Sequence, residues 1–221
     1  MIAELGERYR PLAPDIRGHG EAAGRVPVSL EAVIEDVAAL APQQFALAGY
    51  SMGGRLALHA ALALSDRVER VVLIGASPGI EDAVERGARV KADERLASEI
   101  EASTIEAVAE RWATTAVLAD QSPNVREAAR RDRLRNTPAG LARALRGLGT
   151  GALPPVWDRL GELTMPVALV VGERDAKFRE IAERMAARIP GAAVHTVAGA
   201  GHAVHLEAPA RVARILRAEA P

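Results

Sequence analysis

Short apolar runs alternate with stretches of helical period along this chain, and that order leaves few folds open. Tyr9–Pro14 (YRPLAP) reads as a strand that ends in the turn Asp15–Gly20 (DIRGHG). Leu30, Val33, Ile34, Val37 and Leu40 fall on one helical face, with Ser29 placed as N-cap. Phe45–Ala48 reads as a short buried strand, 52–64 as a helix, and Arg70–Ile74 (RVVLI) as the next strand, closed by Gly75–Gly79. From about 80 to 149 no strand-like run occurs. Leu96, Ile100, Ile105, Val108 and Trp112 recur there at helical spacing, and the stretch is too long for a loop of a compact domain. It reads as an inserted helical cap. Strand character returns at Val167–Val171 and Ala193–Val197, and a last helix is expected from about His205 to Ala218. Strands alternating with helices predict an α/β fold, a mostly parallel sheet flanked by helices, and one domain over residues 1–221 interrupted by the cap at about 80–149.

Composition narrows the function classes. With 28 basic and 29 acidic side chains the net charge is −1, so no basic excess points to nucleic acid or an anionic membrane surface. No apolar run reaches the length of a membrane span. With no cysteine there can be no disulfide, thiolate metal site or thiol catalysis, a composition that fits a cytoplasmic protein. The N-terminal MIAELGERYR lacks the apolar core of a signal peptide. At 221 residues the chain can bury a sizeable core. Nothing in it sets an oligomeric state.

Gly49-Tyr50-Ser51-Met52-Gly53 matches G-x-S-x-G, and it lies where that motif belongs, between a strand and a helix. The serine of such a turn sits in a strained conformation with Oγ exposed, and side chains at the two glycine positions are expected to clash. The N–H of Met52, opening the helix, is the candidate oxyanion donor. Asp175, in Gly172-Glu173-Arg174-Asp175, lies just past a strand end, at the carboxyl edge where sites of open α/β sheets form. His202 follows the last strand in the small-residue loop Gly199-Ala200-Gly201. The order Ser51, Asp175, His202 is that of an α/β-type Ser–Asp–His triad.

Each residue has a plainer alternative. Asp175 could serve only as the N-cap of the helix after it, and Glu173 competes for the acid role from closer to the strand. His205 competes with His202, and His202-x-x-His205-x-Glu207 resembles metal-ligand spacing, although no second cluster of such residues accompanies it. The expected role of His205 and Glu207 is to open the last helix, with Glu207 facing its positive end. His19 and Asp15 read as turn residues, and His59 and His195 as ordinary helix-face and strand residues.

With these motifs the chain resembles the α/β-hydrolase superfamily and, more narrowly, the family of 2-succinyl-6-hydroxy-2,4-cyclohexadiene-1-carboxylate synthases of menaquinone biosynthesis. The resemblance runs over nearly the whole chain. It is carried by Gly49–Leu58 (GYSMGGRLAL), Ala76–Glu81 (ASPGIE), Arg86, Arg89, Asp93 and Leu96-Ala97, Trp112, Arg133 with Gly140-Leu141, Gly147–Gly151 (GLGTG) with Trp157, Gly172–Arg179 (GERDAKFR) and Ala200–Glu207 (AGHAVHLE). It implies Ser51, Asp175 and His202 as the triad, Arg55, Arg89 and Arg133 as substrate-binding cations, and Tyr50, Trp112, Lys177 and Phe178 around the pocket. It also implies a small polycarboxylate substrate, no cofactor and no metal, and a 2,5-elimination in which the serine–histidine pair removes a ring proton as pyruvate departs. The fold implies, before Tyr9–Pro14, a strand ending in His-Gly. The His-Gly of this sequence is His19-Gly20, after that segment, so the N-terminal strands are expected to be missing. A serine hydrolase of the same fold, cleaving an ester, thioester or carbon–carbon bond, is the alternative; a truncated inactive or binding-only member is the third.

Overall fold

The structure, a computed structural model, describes residues 2–7, 9–115, 118 and 121–217. The chain divides into two compact units, one of Met1–Leu12, Val37–Pro78 and Val156–Pro221, the other of Ala13–Asp36 and Gly79–Pro155.

The first unit is built on a four-stranded sheet: β1 (Phe45–Tyr50), β2 (Val68–Ile74), β3 (Val167–Gly172) and β4 (Ala193–Val197), all pairs parallel and in the order β1-β2-β3-β4. β2 and β3 are buried on both faces, which is why they read as continuous apolar runs rather than as alternation. Their odd residues Val71, Leu73, Val167, Leu169 and Val171 share one cluster with Leu58, Leu160 and Met185. Their even residues Val72, Ile74, Ala168 and Val170 share another with Val204 and Val212. The period-two geometry of a strand thus hands each run to two cores. Helix α2 (Met52–Ala63) lies against β1 and β2, and α7 (Ala176–Ala186) against β3 and β4.

Helix α1 (Leu30–Leu40) starts where Ser29 Oγ accepts from the N–H of Ala32 at 3.3 Å, the cap expected there. In the second unit four helices follow one another: α3 (Ala83–Glu101), α4 (Ile105–Ala113), α5 (Pro123–Arg133) and α6 (Pro138–Leu148). Asp82, Thr104 and Thr137 cap three of them through side-chain oxygens. Ala97, Ile100, Val108 and Ala142 form the core of this unit, with Leu96, Ile105 and Trp112 packed against it. The unit takes in residues 13–36 as well as the insertion, because Gly20 N–H donates to Asn136 Oδ1 and Gly147 abuts the Val28 carbonyl too closely for a Cβ.

Two expectations fail. Tyr9–Pro14 is not a strand: among the described residues nothing pairs with it, and Pro11 and Pro14 have no N–H to give to a ladder. Before Phe45 no described residue is in a strand. The last helix is two helices, α8 (Val204–Glu207) and α9 (Pro209–Arg217). Pro209 cannot donate back along the chain, and it forces Ala208 out of helical geometry, to φ −139° and ψ 58°. Ala218, where that helix was expected to end, lies outside the described residues, as does Met1.

Candidate active site

Ser51 stands between β1 and α2 with φ 50° and ψ −110°, the one described non-glycine residue with positive φ. Such a conformation costs on the order of 1–3 kcal/mol and persists only where the surroundings enforce it. Here the Ser51 N–H donates to Ile74 O at 2.8 Å, and Ser51 O accepts from the Arg55 N–H at 3.0 Å, so the turn is tied to β2 and to its own helix. The steric demand falls on Gly49 and Gly54. A Cβ on Gly49 would strike the Gly53 carbonyl, and one on Gly54 would come within 2.6 Å of Ala76 Cβ. Gly53 has open space at that position, which corrects the expectation that both glycines of the five-residue motif are needed for packing. The Met52 N–H occupies the first position of α2, where a helix supplies no internal acceptor.

His202 Nδ1 lies 2.6 Å from Asp175 Oδ2, and its Nε2 lies 3.2 Å from Ser51 Oγ. A carboxylate only accepts, so Nδ1 donates to Asp175, and Nε2 of the neutral ring is left as an acceptor toward the serine hydroxyl. Asp175 and His202 are 8% and 5% exposed. Although Asp175 is at the N-cap of α7, its side chain makes no capping bond. Glu173 is occupied elsewhere, accepting from the Gly199 N–H at 2.8 Å on the exposed side of the loop. The imidazole of His202 is packed between aromatic rings, with Phe178 at 4.4 Å and Tyr50 at 5.2 Å between centroids. Lys177 carries its ammonium 5.9 Å from the Phe178 ring centre, and His205 lies against the other neighbour, 4.1 Å from the Tyr50 ring.

Two further glycines, one after β2 and one at the end of β3, make room for this arrangement. Gly75, with φ 54°, passes so close to the imidazole that a Cβ there would be 2.9 Å from His202 Cε1. Gly172, ending β3, is covered by the Ala200 and Gly201 carbonyls of the histidine loop. The contact that each makes is not recognisable from the sequence, because its partner is 28 or more residues away. Glu207 also departs from its expected role: it accepts from the Gly201 N–H and from Arg174, and α8 has only four residues.

Of the cations expected to bind substrate, Arg55 is buried on α2, one turn beyond Ser51. Arg89, on α3 in the second unit, donates from Nε to Asp93 Oδ1 at 2.7 Å, while Asp93 is 5% exposed. Arg133 occupies the last turn of α5, and Trp112 packs on the helical core from α4. Ser51, Met52, Tyr50, Arg55, Asp175, Lys177, Phe178 and His202 therefore all belong to the first unit, and Arg89, Trp112 and Arg133 to three helices of the second. His59, on the same helix as Ser51, is buried with Nε2 unpartnered. Burial, then the charges of Arg55 and Arg159, push its pKa down to about 4. Among the described residues no group of three or more His, Asp or Glu stands together as a metal site would need, and no helix is long and apolar enough to cross a membrane.

Known proteins resemble this chain in sequence and in fold. Residues 1–215 match the α/β-hydrolase family. A putative 2-succinyl-6-hydroxy-2,4-cyclohexadiene-1-carboxylate synthase of Bacillus subtilis (strain 168) is 35% identical over 226 residues, covering 98% of this chain and 82% of its own. The structure of MenH from S. aureus superposes with a TM-score of 0.83 at 27% identity, over 91% of this chain and 79% of that one. A malate-bound thermophilic esterase from Thermogutta terrifontis superposes with a TM-score of 0.80 at 28% identity, over 92% and 76%. The chain belongs to the α/β-hydrolase family and, within it, to the group of the 2-succinyl-6-hydroxy-2,4-cyclohexadiene-1-carboxylate synthases.

Proposed function

We propose that the chain is a carbon–oxygen lyase of menaquinone biosynthesis, eliminating pyruvate from 2-succinyl-5-enolpyruvyl-6-hydroxy-3-cyclohexene-1-carboxylate to give 2-succinyl-6-hydroxy-2,4-cyclohexadiene-1-carboxylate. The observation that carries the chemistry is the unbroken chain Asp175–His202–Ser51, buried at its acidic end and partly open at the serine. Membership of the synthase group supplies the substrate. His202, holding its tautomer through Asp175, takes the Ser51 hydroxyl proton as Oγ removes a ring proton from the substrate. The C–H electrons move through the ring double bond, the C–O bond to the enolpyruvyl group breaks, and pyruvate leaves as its enolate. The imidazolium returns the proton to that enolate, so serine, histidine and charge all balance at the end of the cycle. Every step is a proton transfer or a bond shift within the substrate, and the reading calls for no cofactor.

Negative charge develops during the elimination, and the Met52 N–H at the start of α2 is the donor we assign to it. The substrate carries several carboxylates. We assign Arg55, Arg89 and Arg133 to them because a guanidinium fork matches a carboxylate bidentately. Tyr50, Trp112, Lys177 and Phe178 are assigned to the walls of the pocket, and α3–α6 to a helical cap. A serine hydrolase remains the second reading, favoured by the strained Ser51 and by the esterase relative. Pyruvate release from the cyclohexene substrate, followed beside hydrolysis of a nitrophenyl ester, separates the two. The lyase gives pyruvate with little ester turnover; fast ester turnover without pyruvate overturns the assignment.

A further inference from the structure

His202 rides on the loop Gly199–Gly201, and a loop of three small residues does not hold a base in register by itself. Gly199 has φ 68°, and none of the three has a side chain that can hydrogen-bond; only the buried Ala200 methyl, in the apolar cluster with Val197 and Val204, holds the loop from within. The anchoring comes from two other places. From the acid-bearing segment the Arg174 N–H donates to Ala200 O at 2.9 Å, Arg174 Nε donates to Gly199 O at 3.1 Å, and Glu173 Oε2 accepts from the Gly199 N–H at 2.8 Å. From the other side, Glu207 Oε2 accepts from the Gly201 N–H at 2.8 Å and from Arg174 Nη2 at 2.9 Å. That single oxygen joins the loop of the base to the loop of the acid, immediately before His202 in the chain. The Glu207 side chain is 10% exposed, so its bond to the Gly201 N–H is partly sheltered from competing water, while Arg174 reaches it from the exposed side.

We infer that Glu207 is a positioning residue for His202: its carboxylate oxygen holds the Gly201 N–H and Arg174 together, and so fixes the imidazole between Asp175 Oδ2 and Ser51 Oγ. The inference rests on the reading of His202 as the base. It predicts a particular pattern among variants. Glu207→Gln keeps an acceptor oxygen at the same reach, able to take both N–H groups. Glu207→Ala removes the acceptor, and Glu207→Asp withdraws it by one methylene while keeping the charge.

The experiment measures pyruvate release for the full chain and its variants, together with the downfield proton NMR signal of the His202 Nδ1–H, which needs no substrate. Misplacement of a base by about 1 Å costs on the order of 100-fold in rate. Glu207→Ala and Glu207→Asp are therefore expected to lower kcat by roughly 10- to 100-fold with KM little changed, and to weaken or broaden the downfield signal. Glu207→Gln is expected to stay within roughly threefold of the parent and to keep the signal, in line with the modest net worth of one hydrogen bond. If Glu207→Ala fails to fold, Glu207→Asp carries the test. A purely structural role would lower the melting temperature and leave both kcat of the folded protein and the NMR signal intact; that result overturns the inference. If the parent shows the signal but releases no pyruvate, the proposed reaction fails, and the effect of the variants on the signal still decides the role of Glu207.

Discussion

Two carboxylates compete for one imidazole within three residues of chain, and bonding decides between them. Glu173 and Asp175 both follow β3, but Glu173 accepts from the Gly199 N–H on the exposed side, whereas Asp175 is buried and meets His202 Nδ1 at 2.6 Å. The nearer acid belongs to the loop and the farther one to the base. Asp175→Asn is therefore expected to lower kcat by about 1,000- to 10,000-fold, because an amide in that place can stabilise the wrong tautomer of His202. Glu173→Gln, whose amide oxygen can still accept from Gly199, should change kcat little. Steady-state kinetics with circular dichroism of both variants checks this, and the reverse ranking would move the acid to Glu173. The candidates Ser51, Asp175 and His202 were legible in the sequence because each sits in a short pattern beside a strand end. Gly75, Gly172 and Glu207 were not, because their importance lies in contacts that chain order does not reveal.

At the level of elements, the turn from β1 to α2 shows what a five-residue pattern contains and what it omits. Gly49 and Gly54 are the positions where a side chain would meet the Gly53 carbonyl and Ala76, while Gly53 faces open space. Gly53→Ala is expected to be neutral or to stabilise by up to about 1 kcal/mol, since alanine replaces glycine inside a helix. Gly54→Ala should destabilise by about 1–3 kcal/mol through overpacking. Urea denaturation of the two variants measures the difference, and equal stabilities would remove the steric account of the turn. The helix after the last strand illustrates the converse. Helical periodicity continues from α8 into α9, yet Pro209 ends one helix and begins another. Composition carried that information, and apolar spacing alone concealed it. Tyr9–Pro14 carries two prolines that cannot donate to a ladder, and a strand exists only with a neighbour, which among the described residues is not provided.

For the whole molecule, one buried histidine and two partly buried ones contribute to the response to mild acid. His59 is driven to a pKa of about 4 by burial first and by Arg55 and Arg159 second, and burial also lowers His19 and His195. Each then binds more protons when the chain unfolds, so stability rises with pH below the ordinary histidine value and is lost as pH falls through about 6.5 toward the folded value. For His59 alone the loss between pH 7 and pH 5 is on the order of 2 kcal/mol. Denaturant melts at the two pH values should show it, and His59→Leu should flatten the dependence; an unchanged slope in that variant would show His59 to be solvated in the folded protein. The sequence by itself determined the α/β class and the β2 and β3 runs, and it put Ser51 and His202 forward as candidates with two acids left in competition. Apolar period, strand-end position and short turn motifs are local properties, written in neighbouring residues. Only the tertiary structure decided which acid reaches His202, which glycines of the turn are obligatory, and that Glu207 spans two loops. Those outcomes depend on distances between segments brought together by packing, and a distance through space is not a property of either segment alone.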